Sequence, residues 1–117
     1  MEFLSIQDVL NIHERVIDPK ELQGLAGNKS LDAIISRVET RIHYGLIGDE
    51  YDLAATYAVV IAVGHVFNDA NKRTAVIAMD MALRKNGIKL HFDVEKTGQI
   101  IIKVAQSMIN EIREFNQ

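Results

Sequence analysis

An all-α fold is the expectation this sequence sets, and three observations carry it. Apolar residues recur at helical spacing in several long segments, serines stand where two of those segments begin, and residues 51–66 are too long and alanine-rich for one strand. The chain has 117 residues, 48% hydrophobic and 25% charged, an ordinary globular composition with length enough to bury roughly two-thirds of the unfolded surface around one core. The expected architecture is a single compact helical domain, 1–117, of five or six helices with at most a small β-hairpin flap.

Taken in order, Ser5-Ile6-Gln7-Asp8 has the form of a capping box in which an aspartate stands for the usual glutamate. Ile6, Val9, Leu10, His13, Val16 and Ile17 follow at helical spacing, and Asp18-Pro19 ends the run, since a residue before proline avoids helical dihedrals. Residues 20–29, KELQGLAGNK, read as a loop, after which Ser30 caps a second helix with Leu31, Ile34, Ile35, Val38 and Ile42 on one face. Gly45 and Gly48 break HYGLIGDEY, a candidate mobile flap. Residues 51–66 hold too few polar positions for a surface helix and are expected to be covered on nearly every side. The next apolar helix, TAVIAMDMALRKNG, forms an antiparallel pair with it, ending in a basic turn with Gly87 just past the cap. IKLHFD alternates briefly and is a candidate strand that would pair with the flap; a last helix is expected from about Glu95 to Glu114.

Composition narrows the function classes. Thirteen basic against 16 acidic residues give a formal charge of −3, so the molecule as a whole has no electrostatic reason to collect on nucleic acid. The absence of cysteine removes disulfides, thiolate metal sites and cysteine nucleophiles, and accords with a reducing compartment. MEFLSIQDVL lacks the basic and apolar regions of a signal peptide, and the uncharged run beginning at Leu53 falls short of the roughly twenty residues of a membrane span. A cytoplasmic protein with no membrane partner is the expectation.

Chemistry concentrates in HVFNDANKRTA, residues 65–75, where polar and charged residues crowd in directly behind the apolar run. A helix starting near Asn71 turns its first N–H groups and positive dipole end toward the loop, and Lys72 and Arg73 add full charges, so phosphate is the natural guest. Asp69 is placed to hold a magnesium ion bridging phosphate oxygens, and His65 to accept a proton from an incoming hydroxyl. Plainer readings stand beside these: His65 as a satisfied helix-end histidine, Asp69 as a helix cap, Lys72 and Arg73 as solvated charges. Phe67 reads as a core anchor, and the scattered His13, His43 and His91 as structural or exposed.

His65-Val66-Phe67-Asn68-Asp69-Ala70-Asn71-Lys72-Arg73 resembles the signature loop of the Fic/Doc superfamily, specifically its Doc branch, the "death on curing" toxins of bacterial toxin–antitoxin pairs. SLDAIISRVETRIHYG resembles the segment before the flap in Doc proteins and ALRKNGIKL the end of the helix after the signature, so the likeness spans roughly residues 22 to 92. The resemblance implies a helical Fic fold, with His65 as general base, Asp69 as magnesium ligand, and Asn71, Lys72 and Arg73 at the phosphates of ATP. Two departures from AMP-transferring Fic enzymes matter: Lys72 replaces a glycine, and Val76 stands where a second arginine would be. A lysine fills space that a glycine would leave for the inner phosphate and brings charge to a terminal one.

What the resemblance implies is therefore a toxin kinase passing the ATP γ-phosphate to a threonine of elongation factor Tu and so blocking translation. A protein adenylyltransferase is one alternative, and a non-catalytic module that binds an antitoxin and helps repress its operon is another. No (S/T)xxxE(G/N) inhibitory helix is present, so inhibition by a separate antitoxin, docking as a helix in an apolar groove, is the expected substitute. Arg84 and Lys85 read as solvated charges rather than as a partner surface.

Overall fold

The computed structural model describes residues 1–91, 93, 95–101 and 103. Four helices form its body: α1 (Ile6–Val16), α2 (Leu31–His43), α3 (Glu50–Gly64) and α4 (Asn71–Lys85). Residues 95–101 begin a fifth helical stretch; the part of the expected last helix from 104 onward lies outside the described residues. The fold is all-α, as the sequence predicts. No described helix is long and apolar enough to cross a membrane.

Local chemistry sets the helix starts. Ser5 Oγ accepts from Asp8 N–H while Asp8 Oδ2 accepts from Ser5 N–H at 2.9 Å, so the capping box is complete. That backbone bond is the chief reason the Asp8 carboxyl is held below its ordinary range, and Lys85 Nζ at 3.0 Å adds to it while tying α1 to α4. Ser30 caps α2 through Ala33 N–H and Asp49 caps α3 through Asp52 N–H. At the end of α4, Gly87 has φ +79°, with its N–H on Arg84 O and Ile88 N–H on Leu83 O. This paired arrangement closes a helix on a left-handed residue.

The core is one cluster running from Leu4 to Ile101, with α3 at its centre. Leu53, Ala54, Tyr57, Ala58, Val60, Ile61 and Ala62 are all buried, which is why the segment shows no single apolar stripe. α3 packs most extensively on α4, the chain reversing over residues 65–70; α2 covers α3 and α1 covers α4. A Cβ on Gly64 would collide with the end of the Ile34 side chain, so the glycine lets Ile34 of α2 pack directly on the α3 backbone. Tyr57, 2% exposed, accepts the Leu4 N–H on its hydroxyl at 2.9 Å, and burial raises its pKa.

The expectation allowed at most a small hairpin, and the candidate strand IKLHFD lies partly outside the described residues. Among the described residues no hairpin forms: residues 45–48 and 88–91 carry no strand, and Phe92 lies outside the described set. Ile47 and Ile88 instead pack against the helical core, and a two-stranded ribbon on its own is marginal. The one antiparallel bridge among the described residues pairs Leu25 with Phe67, inside the signature loop.

Candidate functional site

Among the described residues, His65 (φ +45°) and Ala70 (φ +64°) are the only non-glycine residues with positive φ, and they bracket the loop between α3 and α4. A left-handed residue of this kind costs about 1–3 kcal/mol and persists only where its surroundings leave no alternative. Those surroundings come from the first third of the chain. Ala26 N–H donates to Val66 O at 2.8 Å, Asn68 N–H to Gly24 O at 3.0 Å, and Asn68 Nδ2 to Gln23 O at 2.9 Å. Loop 18–30 therefore lies alongside the signature loop like an added strand.

Inside the loop, Phe67 is 2% exposed, and its N–H and C=O both bond the Asn71 side chain, at 3.0 and 2.9 Å. Asn71 thus uses its amide to brace the turn, and what it offers a ligand is its backbone N–H. Asp69 is gripped twice: Leu22 N–H donates to Oδ2 at 2.8 Å, and His13 Nε2 donates to its peptide oxygen at 2.9 Å. A carbonyl can only accept, so His13 carries its proton on Nε2. The His13 ring also lies flat on Phe67, with centroids 3.7 Å apart and planes within 5°.

Asp69 is not a helix cap. Ala70 occupies that position with no side-chain bond, and the first backbone bond of α4 runs from Thr74 N–H to Ala70 O at 3.0 Å. Among the described residues the N–H groups of Asn71, Lys72 and Arg73 have no acceptor, and no acid stands in the first turn. An uncapped helix start of this kind carries partial positive charge and three convergent donors. Lys72 is exposed beside it, its methylenes packed on the helix that begins at 95: a Cβ on Gly98 would lie 2.7 Å from Lys72 Cγ.

Arg73 is already engaged. Its Nη1 donates to Val16 O at 2.8 Å and its Nη2 pairs with the Glu21 carboxylate, leaving the side chain 39% exposed. The bond to Arg73 holds the Glu21 carboxyl below its ordinary range, and the bond to Glu21 raises the pKa of Arg73. His65 is exposed, and among the described residues its ring makes no hydrogen bond. It is therefore available to a ligand rather than spent as a satisfied helix end.

The donor set is compatible with a magnesium ion that keeps most of its ligands from water and substrate. No three His, Cys, Asp or Glu side chains of the described residues converge, which leaves one carboxylate, with Oδ1 of Asp69 in no hydrogen bond. Magnesium is commonly held by one or two carboxylates together with water and substrate phosphates, whereas zinc asks for several protein ligands. Five sequence-selected residues, His65, Asp69, Asn71, Lys72 and Arg73, thus fall in one turn. His13, expected to be structural or exposed, and Glu21 and Leu22, which had no expected role, complete it from α1 and the following loop. His13 left a trace: it is a polar residue in the apolar stripe between Leu10 and Val16, and a buried polar group requires a partner.

A left-handed histidine, a braced acidic turn and an uncapped cationic helix start, set on a buried helical pair, define a helical domain whose one unfinished start among the described helices lies beside its most polar loop. A model of the Fic/DOC family matches residues 3–83, and the chain belongs to that family. Protein kinase doc of Escherichia phage P1 is similar to it, 35% identical over 111 residues that cover 94% of this chain and 87% of that protein.

Proposed function

We propose that this chain is a Doc-type toxin kinase. It would bind ATP at the start of α4 and pass the γ-phosphate to a protein hydroxyl, with a threonine of elongation factor Tu in the cytoplasm as the expected acceptor and a cognate antitoxin as its silencer. The observation that carries this reading is the uncapped start of α4, bracketed by an exposed His65 and an anchored Asp69. The kinase name of the phage P1 relative supports the same choice.

On this reading the backbone N–H groups of residues 71–73 and the Lys72 ammonium neutralise the triphosphate, and Arg73 joins them by exchanging Glu21 for a phosphate oxygen. His65 accepts the proton of the acceptor hydroxyl as the O–Pγ bond forms and the bond from Pγ to the bridging oxygen breaks, with ADP leaving. A positioned base of this kind contributes on the order of 10²–10⁴ in rate. Asp69 would hold magnesium, which when bound neutralises charge on the phosphate oxygens. The buried floor of Phe67 and Val66 keeps the loop from following the ligand, so positioning does most of the work.

Incubation with elongation factor Tu and either γ-labelled or α-labelled ATP tests the reading. Label from the γ position alone is the expected result. Label from the α position alone assigns AMP transfer, and the absence of both, with no growth arrest on expression without a partner gene, leaves only a non-catalytic antitoxin-binding module.

A further inference from the structure

The two peptide groups flanking Ala70 are both pinned. Behind it, the Asp69 carbonyl takes the His13 Nε2–H at 2.9 Å; ahead of it, the Ala70 carbonyl takes the Thr74 hydroxyl at 2.7 Å and the Thr74 N–H at 3.0 Å. Ala70 holds φ +64° without the glycine that such a turn would favour. Thr74 belongs to α4 itself and is wholly buried, so it moves with the helix. His13 is the one brace on this turn that comes from α1, and it is a built one: 6% exposed, on a helix whose Val9 and Ile12 are core residues, with its ring seated on Phe67.

We propose that His13 is a positioning residue for magnesium and phosphate, acting through the Asp69–Ala70 peptide. The inference rests on the phosphate-transfer reading above. Its hydrogen bond keeps Ala70 left-handed, and that turn does two things at once. It sets the direction of the Asp69 carboxylate, and it leaves the first three N–H groups of α4 facing outward rather than covered by the preceding backbone. Without the donor, Ala70 can relax toward ordinary dihedrals; the Leu22 bond alone then tethers the carboxylate, and both features lose their register.

The test uses the whole chain with His13→Phe, which keeps a flat buried ring on Phe67 and deletes only the donor. Calorimetric titration of Mg²⁺ in the presence of a non-hydrolysable ATP analogue should show affinity about tenfold weaker or worse, the usual effect of losing a group that orients a metal ligand. Thermal unfolding should remain cooperative. Adding Ala70→Gly to the same chain should recover most of the affinity, because glycine adopts the left-handed turn without being held there. A merely structural histidine predicts otherwise: lower thermal stability, unchanged Mg²⁺ affinity in the folded fraction and no recovery from the glycine, and that pattern overturns the proposal. Wild-type protein that binds Mg²⁺ and the analogue yet transfers no label counts against the kinase alone, since the titrations still judge His13. Wild-type protein that binds neither overturns both.

Discussion

α3 and α4 are each 15 residues long, pack on one another, and start by opposite rules. α3 opens with Asp49 on the Asp52 N–H and with Glu50 and Asp52 in its first turn, so its dipole end is covered by its own acids. α4 opens on a left-handed alanine with no cap, no first-turn acid, and Lys72 and Arg73 instead. α1 and α2 are also capped by side chains, so the chain has the means to close a helix and does not use them at α4. On the proposed reading the difference separates stability from function: α3 is finished internally, whereas α4 would be finished by a ligand.

The largest effect belongs to His65, the exposed residue that closes α3 and opens the loop leading to α4. His65→Asn keeps a side chain tolerant of the left-handed turn and should lower phosphate transfer by about 10²-fold or more, with little change in thermal midpoint. A large loss of stability in this variant would mean that the ring is structural. Next, Asp69→Asn retains an oxygen for the Leu22 N–H but removes the charge. It should weaken Mg²⁺ binding by about 10–100-fold while nucleotide still binds without metal, as read by calorimetry.

The contrast between the two helix starts is sharpened by exchanging their chemistry. Lys72→Glu gives α4 the first-turn acid that α3 has. It should stabilise the helix by about 0.5 kcal/mol through the dipole and yet weaken ATP binding by about tenfold, so that stability and function move in opposite directions. Asp49→Ala does the reverse at α3: it should cost about 1 kcal/mol and lower the midpoint by roughly 4 °C, with ATP affinity unchanged. If both variants moved stability and ATP affinity together, the two helix starts would be alike after all.

Much of this was legible because it is local. Caps at Ser5 and Ser30, the proline stop after Ile17, the saturated apolar run of α3 and Gly87 past α4 each depend on residues within a turn or two, and each stands as expected. The composition of the 65–73 loop was equally readable. What stayed hidden depends on long-range pairing. That His13 reaches Asp69, that Leu22 reaches the same residue, and that Glu21 occupies Arg73 are contacts across about fifty positions, and nothing in local spacing encodes them. The second role of Asn71 was hidden for a related reason: the buried Phe67 backbone needs partners for its N–H and C=O, and the Asn71 amide supplies both.

The smallest expected effect comes from the acid that α4 does have, supplied from outside the helix. Glu21 sits in loop 18–30 and covers Arg73 as Glu50 and Asp52 cover α3, but it can be displaced without unwinding anything. Its carboxyl is held below the ordinary range, chiefly by the bond from Arg73. A depressed folded pKa means that the unfolded chain takes up the proton first as pH falls. The contribution to stability is therefore present at neutral pH and is lost as pH drops through the ordinary carboxylate range to the lower folded value. Glu21→Gln should flatten that part of the stability profile, seen as a smaller difference in thermal midpoint between neutral and acidic buffer. The same variant should lower the KM for ATP modestly, because phosphate no longer competes with a carboxylate for the guanidinium, while kcat stays near wild type. A raised KM would instead mean that Glu21 holds Arg73 in its working position, and α4 would then be closed, like α3, by an acid that belongs there.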